Sequence, residues 1–197
     1  LFLYVGLYSV RSSSHLASNA KTIAKVNLPE IQLLIQADRD LYQALTAERA
    51  LLSPNLSAQQ VATYLKEHKD NLQQAHDRAL QSIETSDTAT KSEREEYLGY
   101  LQNWQRISES IVQNASSADV DTRANLIGRS LGESFGAFSK ARSFLDELEE
   151  RRLEHVDEFT TEIEADSDSI ARQLLVLLVL GTLSTFAAAF FLPLLVT

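Results

Sequence analysis

The feature that most constrains this chain is the distribution of its charged residues, which leaves both ends uncharged. Residues 1–10 (LFLYVGLYSV) and 174–197 contain no Asp, Glu, Lys or Arg, although the sequence holds 18 basic and 27 acidic residues. As a helix, residues 174–197 would be about 36 Å long, at about 1.5 Å per residue. The hydrocarbon core of a bilayer is about 30 Å thick, so this segment predicts a transmembrane helix. Residues 1–10 are too short to span the bilayer alone, and they predict the outer end of a second transmembrane helix.

The composition of the intervening segment favours helix throughout. Only 6 Gly and 3 Pro occur in the whole sequence, and these two residues disfavour helix most strongly. Residues 11–173 therefore predict one helical domain between the two charge-free segments, and a domain of this kind is able to face either side of the membrane. Its helices are expected at about residues 11–52, 57–84, 92–114 and 121–173. Short loops between long helices favour an all-α fold, an antiparallel up-down-up-down four-helix bundle. Its first and fourth helices would continue into transmembrane helices.

Local signals mark the helix boundaries. Pro29 predicts a kink in the first helix, because proline removes a backbone donor and clashes with the preceding turn. Residues 53–55 (SPN) predict a turn. The capping-box pattern occurs in three pairs, which are Ser57 with Gln60, Thr90 with Glu93 and, as an alternative to the second, Ser92 with Glu95.

Apolar spacing predicts which faces are buried, and polar residues interrupt those faces. On helix one the apolar positions are Ile31, Leu34, Leu41, Leu45 and Leu52. On helix four a 3.5-residue seam contains Leu131, Phe135, Phe138, Arg142, Leu145, Glu149, Arg152, Val156, Phe159 and Ile163. Asp38 and Glu48 lie on the helix-one stripe. A buried charge needs a partner, so Asp38 and Arg142 are predicted to form an internal ion pair that fixes register.

A competing interpretation places a ligand pocket in the membrane-distal half. Arg39, Tyr42, Gln43 and Thr46 share one helical face. A guanidinium group binds a carboxylate through two parallel hydrogen bonds, so this face suits a small carboxylate or an amino acid. Phe138, Ser139 and Arg142 of helix four complete the candidate ligand-binding set. The alternative is that the same face forms a helix–helix or dimer contact.

Other chemistry finds little support in the sequence. A net charge of −9 argues against nucleic-acid binding, and the absence of Cys excludes disulfides. We expect no catalytic residue, no metal and no cofactor, since no phosphate loop or metalloprotease motif occurs. His68 and His76 are able to line one helix face but are expected to be solvated. Trp104 is expected in the core. Gly128, Gly132 and Gly136 are expected to allow close backbone approach, and the alternative is that they make the top of helix four locally soft.

Part of the sequence resembles a known family. Residues 37–52 (ADRDLYQALTAERALL), behind the Leu28-Pro29 step, resemble the first helix of four-helix-bundle sensor domains in bacterial methyl-accepting chemotaxis proteins. Residues 138–148 (FSKARSFLDEL) and 192–197 (LPLLVT) are similar to the fourth helix and second transmembrane span of that family. The resemblance covers the whole chain in architecture, and at the motif level it rests mainly on helix one.

The resemblance implies a multi-pass protein of the bacterial inner membrane, with residues 11–173 in the periplasm and a homodimer across helix one. In the family's aspartate receptor, helix-one arginines from both subunits and a helix-four threonine hold the ligand. Here Arg39 is the only arginine at a comparable height, Arg49 lies further out, and Ser139 or Ser143 stands near the threonine's place. This sequence therefore departs from the aspartate pattern.

The resulting expectation is a chemoreceptor sensor rather than an enzyme. Its partner would be a small molecule or a periplasmic binding protein, and its output would pass through helix four to a cytoplasmic domain. Two alternatives stay open. The same bundle is suited to be the input domain of a sensor histidine kinase or cyclic-dinucleotide cyclase, and it is also suited to bind a protein partner without any small ligand.

Overall fold

The computed structural model describes residues 2–86 and 88–196, and this part of the chain is helical apart from short turns. Within it there is no strand. The helices are α1 (Phe2–Thr22), α2 (Leu28–Leu51), α3 (Ala58–Thr85), α4 (Lys91–Ala115), α5 (Val120–Arg129) and α6 (Phe135–Val196). A first π-helical segment, Ile23–Asn27, joins α1 to α2, and a second, Ser130–Ser134, joins α5 to α6. The all-helical expectation is confirmed.

The predicted helix starts are confirmed in atomic detail. Ser57 and Gln60 form a reciprocal capping box at the start of α3, and Thr90 and Glu93 form one at the start of α4. Each pair satisfies two backbone N–H groups that a helix start leaves without partners. The predicted turn after α2 includes Asn55, which has a positive φ of 67°. Asparagine tolerates this left-handed conformation better than most residues.

Near Pro29 the first long helix changes its hydrogen-bond pattern. The first π-helical segment ends at Asn27, and α2 begins at Leu28 with Pro29 in its first turn. The wider turn of the preceding π-helical segment leaves room for a residue that has no N–H to donate and whose ring crowds the carbonyl of an ordinary α-helical turn. A π-helical turn therefore precedes the proline at the interruption expected from the sequence.

The chain divides into two compact units. One comprises Val26–Leu153, and the other comprises Leu1–Lys25 with Glu154–Thr197. The core of the first unit takes apolar side chains from four long helices. They include Leu34, Leu41 and Leu45 of α2, Leu72 and Ile83 of α3, Tyr97, Leu101 and Trp104 of α4, and Phe138, Leu145 and Leu148 of α6. The predictions for the helix-one stripe and for Trp104, which is fully buried, are confirmed.

The seam predicted for helix four is wrong at its beginning. Leu131 is 60% exposed and Phe135 is 43% exposed, whereas Ser130 and Ser134 are buried. The reason is the second π-helical segment. A wider helical turn keeps residues spaced by four on one face, whereas the prediction assumed a spacing of 3.5. From Phe138 onward the buried face of α6 is again lined by apolar residues.

Two further expectations are wrong. A methyl group added at Gly128, Gly132 or Gly136 would meet nothing within 4 Å, so these glycines do not serve close backbone approach within the described chain. They lie on the open side of the segment whose other side buries Ser130 and Ser134. His68 is not solvated but is only 3% exposed.

The second unit contains the apolar C-terminal part of α6. Among the described residues, one helical stretch, Val120–Ala187, is long and apolar enough to cross a membrane. Its most apolar window has a mean hydropathy of 1.8 and is 6% buried. Within this unit, the Tyr8 hydroxyl of α1 donates a hydrogen bond to Oε1 of Gln173 of α6.

Candidate functional site

An ion pair lies at the centre of the site predicted from the sequence. Nε of Arg142, on α6, is 2.9 Å from Oδ1 of Asp38, on α2, so the predicted pairing is confirmed. The pair is partly exposed rather than internal, since the Arg142 side chain is 36% exposed. A second carboxylate, that of Asp146 one turn further along α6, lies 3.6 Å from Nη1 of Arg142. The pair holds α2 and α6 in register, and it places one cation between two anions.

An aromatic ring lies against this cation and connects it to further rings. The Arg142 guanidinium lies over the Tyr42 ring, 5.0 Å from its centroid. Tyr42 in turn meets the ring of Phe138 edge-on at 5.0 Å, and Phe138 meets the ring of Trp104 at 5.2 Å. A cation over an aromatic face is attracted by the ring quadrupole. The rings therefore link the ion pair directly to the core.

The charged groups around Arg142 change one another's pKa values. Partial burial raises the pKa of Asp38, and the Arg142 charge only partly offsets this effect. Burial together with the charges of Asp146 and Asp38 raises the pKa of Glu149. For Arg142 the neighbouring carboxylates outweigh a desolvation penalty that acts in the opposite direction, and its pKa is raised. The cluster thus has an excess of anionic groups around one arginine.

The structure brings only part of the predicted ligand-binding set together. Tyr42, Phe138 and Arg142 are in contact. Arg39 donates instead to its neighbour Asp40, and the Thr46 hydroxyl donates to the backbone oxygen of Tyr42. Gln43 is exposed on α2.

Ser139 lies on a different face of α6. It lines a groove of about 390 Å³ together with Glu96 and Tyr100 of α4 and Ser143 and Phe144 of α6. Tyr42, Phe138 and Arg142 do not line this groove.

A fully buried carboxylate, Glu48, forms a network that helical spacing alone did not predict. Its two oxygens accept hydrogen bonds from the hydroxyls of Ser130 and Ser134, the latter at 2.8 Å. Trp104 donates through Nε1 to the Ser134 hydroxyl at 3.1 Å. A glutamate on a leucine stripe indicated a buried polar contact. Its serine partners were hidden because the assumed helical period placed them off the buried face.

Two other buried contacts join neighbouring helices. The Asp40 carboxylate on α2 is fully buried and forms an ion pair with Arg78 on α3. The Glu93 carboxylate on α4 accepts a hydrogen bond from Arg152 on α6 at 3.2 Å, in addition to its role in the capping box. Removing one member of such a pair leaves an uncompensated buried charge.

A groove between α3 and α4 contains the buried histidine. Nε2 of His68 lies 2.7 Å from the hydroxyl oxygen of Ser108, and burial lowers the pKa of His68. The groove has a volume of about 410 Å³, and His76 also lines it. The prediction that these two histidines line one face is confirmed. No group of three or more His, Asp or Glu side chains able to hold a metal occurs within the described ranges.

The polar groups of the Arg142 cluster offer hydrogen-bond donors, acceptors and charge of both signs at the surface between α2 and α6. In comparisons with known sequences, no protein-family model and no curated protein matches this chain. Function is therefore inferred from the geometry and from the sequence patterns.

Proposed function

We propose that this chain is the ligand-sensing region of a transmembrane chemoreceptor of the bacterial inner membrane. In this proposal Val26–Leu153 forms an antiparallel up-down-up-down four-helix bundle in the periplasm. The signal passes along α6 into the charge-free segment 174–197 and on to a cytoplasmic signalling domain. The observation that carries the proposal is α6 itself, which supplies core residues such as Phe138 and Leu148 and also ends in the apolar segment.

Contacts between helix ends support the antiparallel arrangement. Ser82, near the end of α3, donates to the backbone oxygen of Glu30, at the start of α2. Arg123, at the start of α5, donates to the backbone oxygen of Leu52, just after α2. In each case the beginning of one helix meets the end of another, as in neighbouring antiparallel helices.

The chemistry around Arg142 supports an amino acid as the ligand class. A ligand carboxylate would compete with Asp38 for the guanidinium, and the ligand ammonium would be received by Asp38 and Asp146. A simple dicarboxylate lacks the positive group and would add negative charge to an anionic cluster. Displacement of Asp38 would loosen the contact that holds α6 against α2, and this gives binding a route to helix movement.

Exposed apolar residues on α2 support a homodimer across that helix. Leu28 is 50% exposed, Ile35 is 50% exposed and Tyr42 is 43% exposed. These residues are spaced by seven, so they form a stripe of the kind that packs in coiled coils. A second copy of α2 would cover it.

The alternatives differ in the output domain that receives the signal or in the partner that binds the bundle. An input domain of a histidine kinase or a cyclic-dinucleotide cyclase would use the same bundle and the same helix movement. A structural bundle would bind a protein partner such as a periplasmic binding protein, with no small ligand at Arg142. The polar cluster at the surface favours direct sensing over this last alternative.

The first test is a thermal-shift screen of the chain against amino acids and organic acids. A ligand at 100 times its dissociation constant should raise stability by about 2.7 kcal/mol. The shift should disappear in Arg142→Gln and persist in Arg106→Gln, which removes an exposed arginine of α4. If no amino acid shifts the midpoint, or if both variants respond like the wild type, direct sensing at this cluster is wrong.

The second test measures the signalling movement itself. The absence of native cysteine allows nitroxide labels at Gln32→Cys on α2 and Glu150→Cys on α6, both exposed positions. Binding of a screened amino acid should change the distance between the labels by about 1–2 Å. A control pair at Thr63→Cys and Arg106→Cys, on α3 and α4, should stay unchanged. Equal changes in both pairs would contradict a displacement specific to α6.

A further inference from the structure

The unit formed by Leu1–Lys25 and Glu154–Thr197 contains two adjoining surface grooves. The larger, of about 600 Å³, is lined by α1 residues that include Arg11, Ser12 and His15 and by α6 residues that include Asp166 and Ser169. The smaller, of about 390 Å³, is lined by Arg172, Val176 and Leu177. Tyr8 and Gln173 line both grooves and are hydrogen-bonded to each other.

The chemistry of the α6 residues changes in order along this surface. Leu177 and Val176 are apolar, Gln173 and Arg172 offer amide and guanidinium donors, and Asp166 is anionic. Each helical turn along α6 advances this surface by about 5.4 Å. The surface therefore runs from apolar through cationic to anionic as it leaves the charge-free segment.

The α1 side of the larger groove runs from an aromatic residue through a cation to polar groups. Tyr8 lies at the edge of the charge-free residues 1–10, and Arg11 follows one turn later. Ser14, His15 and Ser18 extend the groove with polar groups. Tyrosine is typical of the membrane–water interface because its ring is apolar and its hydroxyl is polar. Both helices thus place a guanidinium within one turn of the level of Tyr8 and Gln173.

We propose that this pair of grooves binds the headgroup of a phospholipid that carries a primary ammonium group, a phosphatidylethanolamine. Acyl carbons would lie along Val176 and Leu177, the phosphate would contact Arg11 and Arg172, and the ammonium would reach Asp166. This inference rests on the proposed membrane location of residues 174–197.

The order of groups in the lipid matches the order of groups on the protein. In phosphatidylethanolamine a two-carbon linker separates phosphate from ammonium by about 5 Å, roughly one helical turn. Asp166 lies about 9 Å along the helix axis from Arg172, so the ammonium would reach it from a phosphate held at Arg11, which lines the same groove as Asp166. Arginine is the preferred partner of phosphate because its planar donors match two phosphate oxygens. The Asp166 carboxylate would accept hydrogen bonds from a primary ammonium, whereas the quaternary group of phosphatidylcholine has no N–H to donate. The glycerol headgroup of phosphatidylglycerol carries no positive charge to balance Asp166.

The test uses the chain of residues 1–197 in nanodiscs that contain equal amounts of phosphatidylethanolamine, phosphatidylcholine and phosphatidylglycerol. Lipids retained on the protein are then counted by native mass spectrometry. The wild type should retain phosphatidylethanolamine in preference to the other two. The Arg11→Gln, Arg172→Gln double variant should retain about tenfold less phospholipid of any class, as expected for lost charge-assisted hydrogen bonds.

Asp166→Asn gives the sharper result. It should still retain phospholipid but should lose the preference for phosphatidylethanolamine over phosphatidylcholine. The matched controls are Asp157→Asn, at an exposed α6 position outside both grooves, and Arg106→Gln on α4, and both should behave like the wild type. Circular dichroism of every variant checks that the helices are intact.

Three outcomes would overturn the inference. These are equal retention of the three lipids by the wild type, an unchanged preference in Asp166→Asn, and loss of preference in the controls. Inorganic phosphate and O-phosphoethanolamine, added to the detergent-solubilised chain, form a separate arm. If either stabilises the chain as much as the lipid does, the site binds a free phosphate compound instead. A chain that fails to enter nanodiscs at all would contradict the membrane location rather than the headgroup site.

Discussion

The residue that best shows how the core is specified is Glu48. It is fully buried, yet its two oxygens are matched by hydroxyl donors from Ser130 and Ser134. A buried carboxylate without such donors would be strongly destabilising. The network therefore stabilises one alignment of α2 against the second π-helical segment. An alignment shifted along the helix would separate Glu48 from its two hydroxyl donors.

Truncation of Glu48 should be costly. We expect Glu48→Ala to lower the free energy of unfolding by about 3 kcal/mol, because two buried serine hydroxyls lose their acceptor and a cavity remains. Urea unfolding followed by the fluorescence of Trp104, the single tryptophan, measures this change. Glu150→Ala, at an exposed position of α6, is the control. A loss below about 1 kcal/mol in Glu48→Ala would mean that the network contributes little.

His68 should make stability depend on pH. Because burial lowers its pKa in the folded chain, the unfolded chain binds the proton more readily. Stability should then fall as the pH drops below about 6.5, the ordinary value for histidine. In His68→Gln this part of the dependence should disappear, whereas His76→Gln on the same helix should keep it. The measurement is the urea midpoint of all three proteins across that pH range. If the midpoint of His68→Gln depends on pH as steeply as that of the wild type, the interpretation is wrong.

The starts of the helices were predictable from the sequence. The helical period at the junction of α5 and α6, in the predicted fourth helix, was not. A capping box is a local pattern of two side chains, so Ser57 with Gln60 and Thr90 with Glu93 were visible in the sequence. The π-helical turn at Ser130–Ser134 carries no comparable local pattern. In this segment the serines are buried, whereas Leu131 and Phe135 are exposed. This burial depends on Glu48 of α2, which accepts hydrogen bonds from both serines.

The same limit applied to the candidate site. The Asp38–Arg142 pair was predictable because both positions were set by the neighbouring apolar residues and by their distance from the charge-free segments. The partner of Arg39 was not predictable: it donates to the adjacent Asp40, a buried carboxylate that also pairs with Arg78 of α3. Which carboxylate captures an arginine depends on the packing of a third helix, and helical spacing does not contain that information.

The open surroundings of Gly136 lead to a prediction for α6. A methyl group there meets nothing, and alanine favours helix over glycine by about 1 kcal/mol. Gly136→Ala should therefore stabilise the chain by up to about this amount in urea unfolding. Gly99→Ala, at an equally open position of α4, should behave in the same way. Destabilisation by Gly136→Ala alone would reveal that another chain approaches this face.

For the whole molecule, the proposed homodimer makes the stripe on α2 the most informative surface. Ile35→Lys should weaken dimer formation at least about tenfold, since it places a charge in the centre of an apolar contact. Sedimentation equilibrium of the detergent-solubilised chain measures the association. Val120→Lys, at a position that is 84% exposed at the start of α5, is the matched control. If the wild type and Ile35→Lys associate equally, the stripe on α2 is not the dimer interface.

The buried polar contacts of the Val26–Leu153 unit bear on how far its sequence is free to diverge. Asp40, Glu48 and Glu93 each bind side chains of one other helical segment, and these few positions reject incorrect alignments of the helices. Apolar cores accept many exchanges of similar volume. Most core positions can then drift in amino-acid identity while the architecture persists. A library that randomises the core leucines among apolar residues should yield many folded members if the three acids are kept, and few if they are replaced by leucine.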